Sequence, residues 1–150
     1  MSKRKDISDP ATDRLVLDGS IALAWCFTDE WNEYSQSVLD ALDTLTAVVP
    51  QLWRLEVANV LLVGERRKRS TQADTIQWTS FLAAFPIVID DETASHAWQE
   101  TANLARTHHL SAYDAAYLEL AMRLNLPLAT LDKQLKAAAL TVGVPLFGVH

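Results

Sequence analysis

Apolar and polar positions follow two alternating patterns along the chain. Short segments that are apolar at nearly every position predict five strands, over 15–17, 47–49, 87–89, 128–130 and 145–149. Between them, apolar residues recur every three or four positions, which predicts a helix with Ser20 as its N-cap and further helices over 33–45, 51–68, 72–84, 93–108, 111–124 and 133–139. Because the strands lack polar alternation, we expect them to be buried on both faces. The sequence therefore predicts an α/β fold, a three-layer α/β/α sandwich with a central, mainly parallel sheet.

The chain has the size of one domain, with 150 residues. Residues 1–13 are polar and of mixed charge and predict a flexible N-terminal tail, followed by a single domain over 14–150. The tail has no apolar secretion signal, and the longest apolar run, 81–89, is interrupted by proline and too short to cross a membrane. Cys26 is the only cysteine. We therefore expect no disulfide, no membrane association and a cytoplasmic location.

Charge and glycine content bear on which ligands the chain can bind. The net charge of −6 argues against nucleic acid, since binding of the phosphate backbone usually requires an excess of basic residues. That objection weakens if several carboxylates hold metal, because two divalent cations would offset four negative charges. The four glycines do not have the spacing of either common phosphate-binding loop. Any phosphate chemistry must therefore use another arrangement of residues.

Four carboxylates interrupt otherwise apolar segments: Asp18, Glu56, Asp114 and Asp132. Asp18 and Asp132 each come at the end of a predicted strand, at the edge where parallel α/β sheets bind ligands. A carboxylate in apolar surroundings is costly to bury unless it is paired or binds metal. Each acid alone also has an ordinary structural explanation: a turn at Asp18, a solvated helix face at Glu56, a capping box for Asp114 and a helix cap at Asp132.

The order and spacing of the four motifs are more specific than any single acid. The motifs are Asp18-x-Ser20 after a strand, Glu56-x-x-Asn59 in a helix, Ser111-x-x-Asp114 opening a helix, and Thr130-x-Asp132 after a strand. With these motifs the chain resembles the PIN-domain nucleases, and in particular the VapC-type toxins of bacterial toxin–antitoxin pairs. The resemblance extends over 15–149.

The resemblance implies a metal-dependent endoribonuclease that cleaves single-stranded regions of RNA. It implies one acidic pocket for Mg²⁺, or alternatively Mn²⁺, made of four catalytic and metal-binding residues: Asp18, Glu56, Asp114 and Asp132. Asp18 and Asp132 would be the most direct ligands, while the other two would bind directly, through water, or orient the attacking water. Three further side chains would orient the carboxylates or touch the phosphate: Ser20, Asn59 and Thr130.

The same resemblance implies two protein partners, a cognate antitoxin and a second copy of the chain in a homodimer. Two other functions stay open from the residues alone. One is a metal-dependent phosphoesterase that acts on small phosphate compounds, and the other is a non-catalytic RNA-binding module. An Asp-x-Asp pair after the first strand would have favoured the phosphoesterase, whereas this chain has Ser20 as the second of those residues.

Aromatic and basic side chains near the motifs each have two interpretations. Tyr113 and Tyr117 flank Asp114, and either can stack on a base, although helical spacing favours core packing for Tyr117. The basic run 66–69 can bind an RNA backbone or form the solvated end of a helix.

Overall fold

The computed structural model describes residues 13–149, so the predicted tail over 1–13 lies outside the described residues except for Asp13. Four strands form an all-parallel sheet in the order β3–β2–β1–β4. The strands are β1 (Arg14–Leu17), β2 (Thr46–Val49), β3 (Ile87–Ile89) and β4 (Leu128–Ala129). Val16 pairs with Val48 on one side and with Leu128 on the other, which makes β1 an interior strand.

Helices fill most of the chain between the strands. Over 13–149 they are α1 (Gly19–Cys26), α2 (Glu33–Ala41), α3 (Trp53–Arg66), α4 (Gln72–Ala83), α5 (Thr93–His96), α6 (Ala102–His108), α7 (Ala112–Leu124) and α8 (Lys133–Val142). A π-helical segment, Ala97–Thr101, joins α5 to α6, and a short 3-10 helix, Thr28–Glu30, follows α1. None of the helices in this range combines the length and apolar character needed to cross a bilayer.

The order of the strands determines how the helices are layered. The steps from β1 to β2 and from β2 to β3 run in one direction, whereas the step from β3 to β4 returns across the sheet. Because parallel crossovers are right-handed, α1–α4 cover one face and α5–α7 cover the other. The contacts agree, since α1 packs on α2 and α3 while α7 packs on β1, α6 and α8. The predicted three-layer α/β/α fold class is confirmed.

Three local predictions were wrong. Helix α1 begins at Gly19 with Asp18 as its N-cap, because the Ser20 hydroxyl binds the Asp18 carboxylate instead of capping the helix. The predicted strand 145–149 is reduced to a single bridge between Leu146 and Leu128, because the chain turns next at Gly148, where φ is +71°. The strand β3 lies at the sheet edge and is not buried on both faces, as Val88 is 54% exposed.

The buried centre of the sheet fixes the position of the first acidic motif. Leu15, Val16 and Leu17 are fully buried in β1. Burying a leucine side chain contributes roughly 1.5–3 kcal/mol, so this strand cannot shift without a large loss of stability. The amide of Asp18 then donates to the Ala129 carbonyl at 3.0 Å, which extends the pairing of β1 with β4 by one residue. The residues that follow the two strands therefore lie side by side.

Candidate active site

Asp18 is a buried carboxylate held by two hydroxyl groups. Asp18 is 6% exposed, and its Oδ2 atom accepts hydrogen bonds from Ser20 Oγ at 2.6 Å and from Thr130 Oγ1 at 2.8 Å. Burial raises the pKa of the Asp18 carboxyl, the two hydroxyl groups oppose this shift, and the negative charge of Asp132 adds to it. The hydroxyls thus stabilise a charge that its surroundings otherwise disfavour.

Both hydroxyls are oriented by the backbone that follows β4. Ser20 Oγ accepts a hydrogen bond from the Leu131 amide, and Thr130 Oγ1 accepts one from the Asp132 amide, each at 3.0 Å. Since each oxygen already receives a backbone proton, its own proton is directed at Asp18. The β4–α8 connection therefore fixes the Asp18 carboxylate and brings Asp132 close to it.

Asp132 has the structural role that its sequence position suggested. It is the N-cap of α8, and its Oδ1 atom accepts a hydrogen bond from the Leu135 amide at 2.9 Å. Capping uses one carboxylate oxygen and orients the side chain. Its charge still raises the pKa values of Asp18 and Asp114, so the same carboxylate also belongs to the acidic cluster.

Glu56 comes from the first turn of α3 and is held by a buried phenol. Tyr117 on α7 donates from its hydroxyl to Glu56 Oε1 at 2.6 Å, and the tyrosine is 1% exposed. Burial raises the pKa of the Glu56 carboxyl, the Tyr117 hydrogen bond opposes this shift, and the charges of Asp18 and Asp114 add to it. This contact joins helices from opposite faces of the sheet.

Asp114 lies in the first turn of α7, where Ser111 is the N-cap and accepts a hydrogen bond from the Asp114 amide at 3.0 Å. Burial raises the pKa of the Asp114 carboxyl, with further increases from the charges of Asp18 and Asp132. A hydrogen bond from Ser111 opposes the shift. The capping interpretation is therefore correct for the serine, while the aspartate also faces the other acids.

The four predicted acids lie in one electrostatic cluster at the carboxyl edge of the sheet. The charge of Asp18 acts on Glu56 and Asp114, and that of Asp132 acts on Asp18 and Asp114. Within residues 13–149, no lysine or arginine forms an ion pair with any of them. The cluster therefore carries negative charge that the described part of the protein does not neutralise.

Of the three residues predicted to support the acids, the structure brings two to them. Ser20 and Thr130 bind Asp18 directly. Asn59 is exposed on α3 and, in the described part of the chain, makes no hydrogen bond to a carboxylate of the cluster. Its assignment stays a prediction from sequence.

A second acidic group follows β3. One carboxylate oxygen each of Asp90, Asp91 and Glu92 lies within 4.8 Å of the other two. Among the described residues, no three of the four predicted acids bring their carboxylate oxygens this close together. Asp90, however, forms a two-point ion pair with Arg123, at 2.8 and 3.1 Å, which lowers the pKa of its carboxyl. Neutralised in this way and mostly exposed, this group is the weaker candidate for a metal site.

Tyr113, Tyr117 and the basic run 66–69 each had two interpretations from sequence, contact with RNA or a structural role. Tyr113 is 62% exposed, whereas Tyr117 is buried as predicted, and its hydrogen bond to Glu56 is the feature that sequence reasoning missed. Its spacing three residues after Asp114, on one helix face, was the available signal. In the basic run, Arg69 pairs with Asp29 and lies 3.9 Å from the centre of the Phe27 ring, which is a structural role.

The four carboxylates lie at the carboxyl edge of a parallel α/β sheet, which is the edge where such folds bind ligands. The chain matches the PIN domain family over residues 15–140. It therefore belongs to the PIN domain family, the nucleases that its motifs resemble, and that resemblance is confirmed.

Three solved structures are similar to the chain. PAE2754 from Pyrobaculum aerophilum is 23% identical with a TM-score of 0.59, covering 83% of this chain and 86% of that one. VapBC2 from Rickettsia felis, bound to a DNA fragment from its promoter, is 15% identical with a TM-score of 0.58, covering 83% and 92%. FitAcB from Neisseria gonorrhoeae is 19% identical with a TM-score of 0.51, covering 89% and 96%. At these identities the likeness concerns the fold. No curated protein matches the chain.

Proposed function

We propose that this chain is a metal-dependent endoribonuclease that cleaves single-stranded regions of RNA and acts as the toxin of a VapBC-like toxin–antitoxin pair. One observation carries the proposal. Four carboxylates from four separate segments act on one another electrostatically at the ligand-binding edge of a PIN-domain sheet, without a cationic partner in the described chain. Such a cluster is unfavourable by itself and favours a bound cation.

The donor atoms of the cluster suit Mg²⁺ or Mn²⁺. All four side chains offer carboxylate oxygens, the ligands that hard divalent cations prefer. Neighbouring groups hold one oxygen each of Asp18, Glu56 and Asp132, which leaves the second oxygen of each carboxylate for a ligand. Bound metal would lower the pKa of a coordinated water and neutralise charge on the scissile phosphate.

The position of each residue suggests its role. Asp18 directly follows β1, Asp132 lies three residues after the end of β4, and hydrogen bonds fix both side chains, which suits direct metal ligands. Glu56 and Asp114 project from helices, and either would bind the metal or orient the attacking water. Ser20 and Thr130 keep Asp18 in place, and such supporting contacts commonly affect metal affinity and activity. Asn59, exposed on α3, would contact the phosphate of the RNA.

A cleavage assay tests the proposal. Labelled single-stranded RNA, the same sequence as a duplex and single-stranded DNA would be incubated with the protein in Mg²⁺, in Mn²⁺ and in EDTA. We expect the metal-containing reactions to cut single-stranded RNA and the EDTA reaction to cut nothing. Asp18→Asn should lose activity, whereas Asp91→Asn, in the second acidic group, should keep it.

Other outcomes of the same assay contradict the proposal in different ways. Cleavage that persists in EDTA or in Asp18→Asn overturns the metal mechanism. Loss of activity in Asp91→Asn with retention in Asp18→Asn moves the site to the group after β3. Tight RNA binding without cleavage supports the binding module, and hydrolysis restricted to a small phosphodiester supports the phosphoesterase.

The proposal includes an antitoxin and a homodimer. VapBC2, one of the similar structures, bears the name of the toxin–antitoxin class that the sequence resembles. A basic side chain of an antitoxin would be attracted to the uncompensated cluster and would compete there with metal.

As a ribonuclease toxin, the protein would act in the cytoplasm. Light scattering after size-exclusion chromatography should give twice the mass of the 16.7 kDa chain, and a monomer would remove the homodimer from the proposal.

A further inference from the structure

We propose that Tyr117 is a positioning residue of this site, which fixes Glu56 so that one defined carboxylate oxygen faces the metal and its water. This inference rests on the proposed function and adds a residue to it. It depends on the burial of Tyr117, the direction of its hydrogen bond and its place between two segments that carry acids.

Burial holds the tyrosine in one place. Tyr117 is 1% exposed and is among the largest fully buried side chains of the described chain. It lies three residues after Asp114, within a run of α7 in which every residue from Ala115 to Ala121 is buried. A ring packed in this way has little rotamer freedom. Its hydroxyl therefore has a fixed location.

The hydrogen bond has one direction. The Tyr117 hydroxyl has a single proton and donates it to Glu56 Oε1 at 2.6 Å. An ionised carboxylate only accepts hydrogen bonds, so the phenol is the donor and its proton points to Glu56.

The phenol therefore occupies one oxygen of Glu56 and leaves the other to the cluster. Over residues 13–149, it is the one side-chain donor that hydrogen-bonds to this carboxylate. Ser20 and Thr130 act on Asp18 in the same way, since both bind Oδ2. In both cases a hydroxyl group holds one oxygen of a carboxylate and leaves the other oxygen free of that contact.

The location of the phenol also links the elements of the site. Its oxygen would be 3.8 Å from a Cβ atom built on Gly19, next to Asp18. Tyr117 thus contacts α3 through Glu56, approaches the start of α1, and shares α7 with Asp114. It is the residue through which α7 can set the position of Glu56 relative to Asp18.

Tyr117→Phe removes the hydroxyl and keeps the ring, so the variant tests the hydrogen bond with little loss of packing. Tyr34→Phe is the matched control, because the Tyr34 hydroxyl also donates a 2.7 Å hydrogen bond, but to the backbone carbonyl of Phe147 and not to an acid. For both variants, calorimetric titration with Mn²⁺ alone gives the metal affinity, and RNA cleavage gives kcat and KM.

We expect Tyr117→Phe to weaken Mn²⁺ binding and to lower kcat by roughly tenfold, the size of effect typical of groups that orient metal ligands. KM for RNA should stay unchanged. Tyr34→Phe should leave all three quantities at their wild-type values, although both variants lose one hydrogen bond. In a Glu56→Gln background, Tyr117→Phe should change Mn²⁺ affinity little, because the residue through which it acts has been altered.

Each other result has a clear meaning. Unchanged Mn²⁺ affinity and kcat in Tyr117→Phe overturn the positioning role and leave the proposed function intact. An equal loss of affinity with and without Glu56→Gln shows that Tyr117 acts only through packing, which also overturns it. A wild-type protein that neither binds Mn²⁺ nor cleaves RNA overturns the proposed function and this role together.

Discussion

Asp18→Asn should make the metal-free protein more stable, although it removes an acid from the proposed active site. Asp18 is 6% exposed, and its charge acts on Asp132, Glu56 and Asp114. At an effective dielectric constant of about 20, a like-charged pair costs about 4 kcal/mol at about 4 Å and about half of that at twice this separation. The substitution removes these repulsions and most of the cost of burying the charge.

Two hydrogen bonds oppose this gain. Ser20 and Thr130 now donate to a charged oxygen, and donation to a neutral amide oxygen is weaker by about 1 kcal/mol for each bond. After salt screening, we expect a net gain of about 1–3 kcal/mol in the free energy of unfolding. For a chain of this length, that corresponds to a rise of about 2–10 °C in Tm.

Thermal unfolding in EDTA, followed by circular dichroism, measures this difference. Asp43→Asn is the control, since Asp43 is exposed after α2 and should change stability by less than about 0.5 kcal/mol. With saturating Mn²⁺ the order should reverse, because metal stabilises only the protein that binds it. An unchanged or lower Tm for Asp18→Asn in EDTA would refute a crowded, uncompensated acid cluster.

Three further predictions concern pH, a hydroxyl and an ion pair. The pKa values of the Asp18, Glu56 and Asp114 carboxyls are raised, so these groups bind more protons in the folded than in the unfolded state. The free energy of unfolding in EDTA should therefore increase as the pH falls from 7 toward their ordinary pKa values near 4, and urea titrations that show no increase would contradict this. Thr130→Val should lower the free energy of unfolding by about 1–3 kcal/mol and reduce RNA cleavage, because it removes a donor to Asp18 and leaves the Asp132 amide unpaired. Thr130→Ser should retain activity, and equal activity of the two variants would argue against a role for the hydroxyl. Arg123→Met should lower the unfolding free energy by about 3 kcal/mol in urea, because the buried Glu119 loses both hydrogen bonds from Arg123 and keeps the longer contact with His96 at 3.8 Å. The exposed Arg106→Met should have little effect, and similar values for both variants would show that the ion pair contributes nothing.

The sequence predicted the layers of the fold because burial leaves a clear pattern. The last three residues of β1, Leu15 to Leu17, are apolar and fully buried, and the helices show the expected spacing of apolar residues. The edge strand β3 has the same composition as a central strand, so its exposed Val88 could not be predicted locally. Position within a sheet depends on strand order, which single-strand composition does not encode.

The acids of the site were predictable, but most of their contacts were not. Asp18 and Asp132 could be found because each follows an apolar strand, and the structure brings them together through the β1–β4 pairing. The hydrogen bond between Tyr117 and Glu56 joins residues 61 positions apart on two helices. Helical periodicity shows that Tyr117 is buried, but it does not show which residue of another helix its hydroxyl meets.

The location of bound metal tests the central claim most directly. A crystal of the protein soaked in Mn²⁺ would be measured at a wavelength where manganese scatters anomalously. We expect an anomalous peak about 2.0–2.3 Å from carboxylate oxygens of Asp18 and Asp132, with Asp114 and Glu56 bound directly or through water. A peak instead among Asp90, Asp91 and Glu92, or no peak near Asp18 at saturating Mn²⁺, would contradict the account.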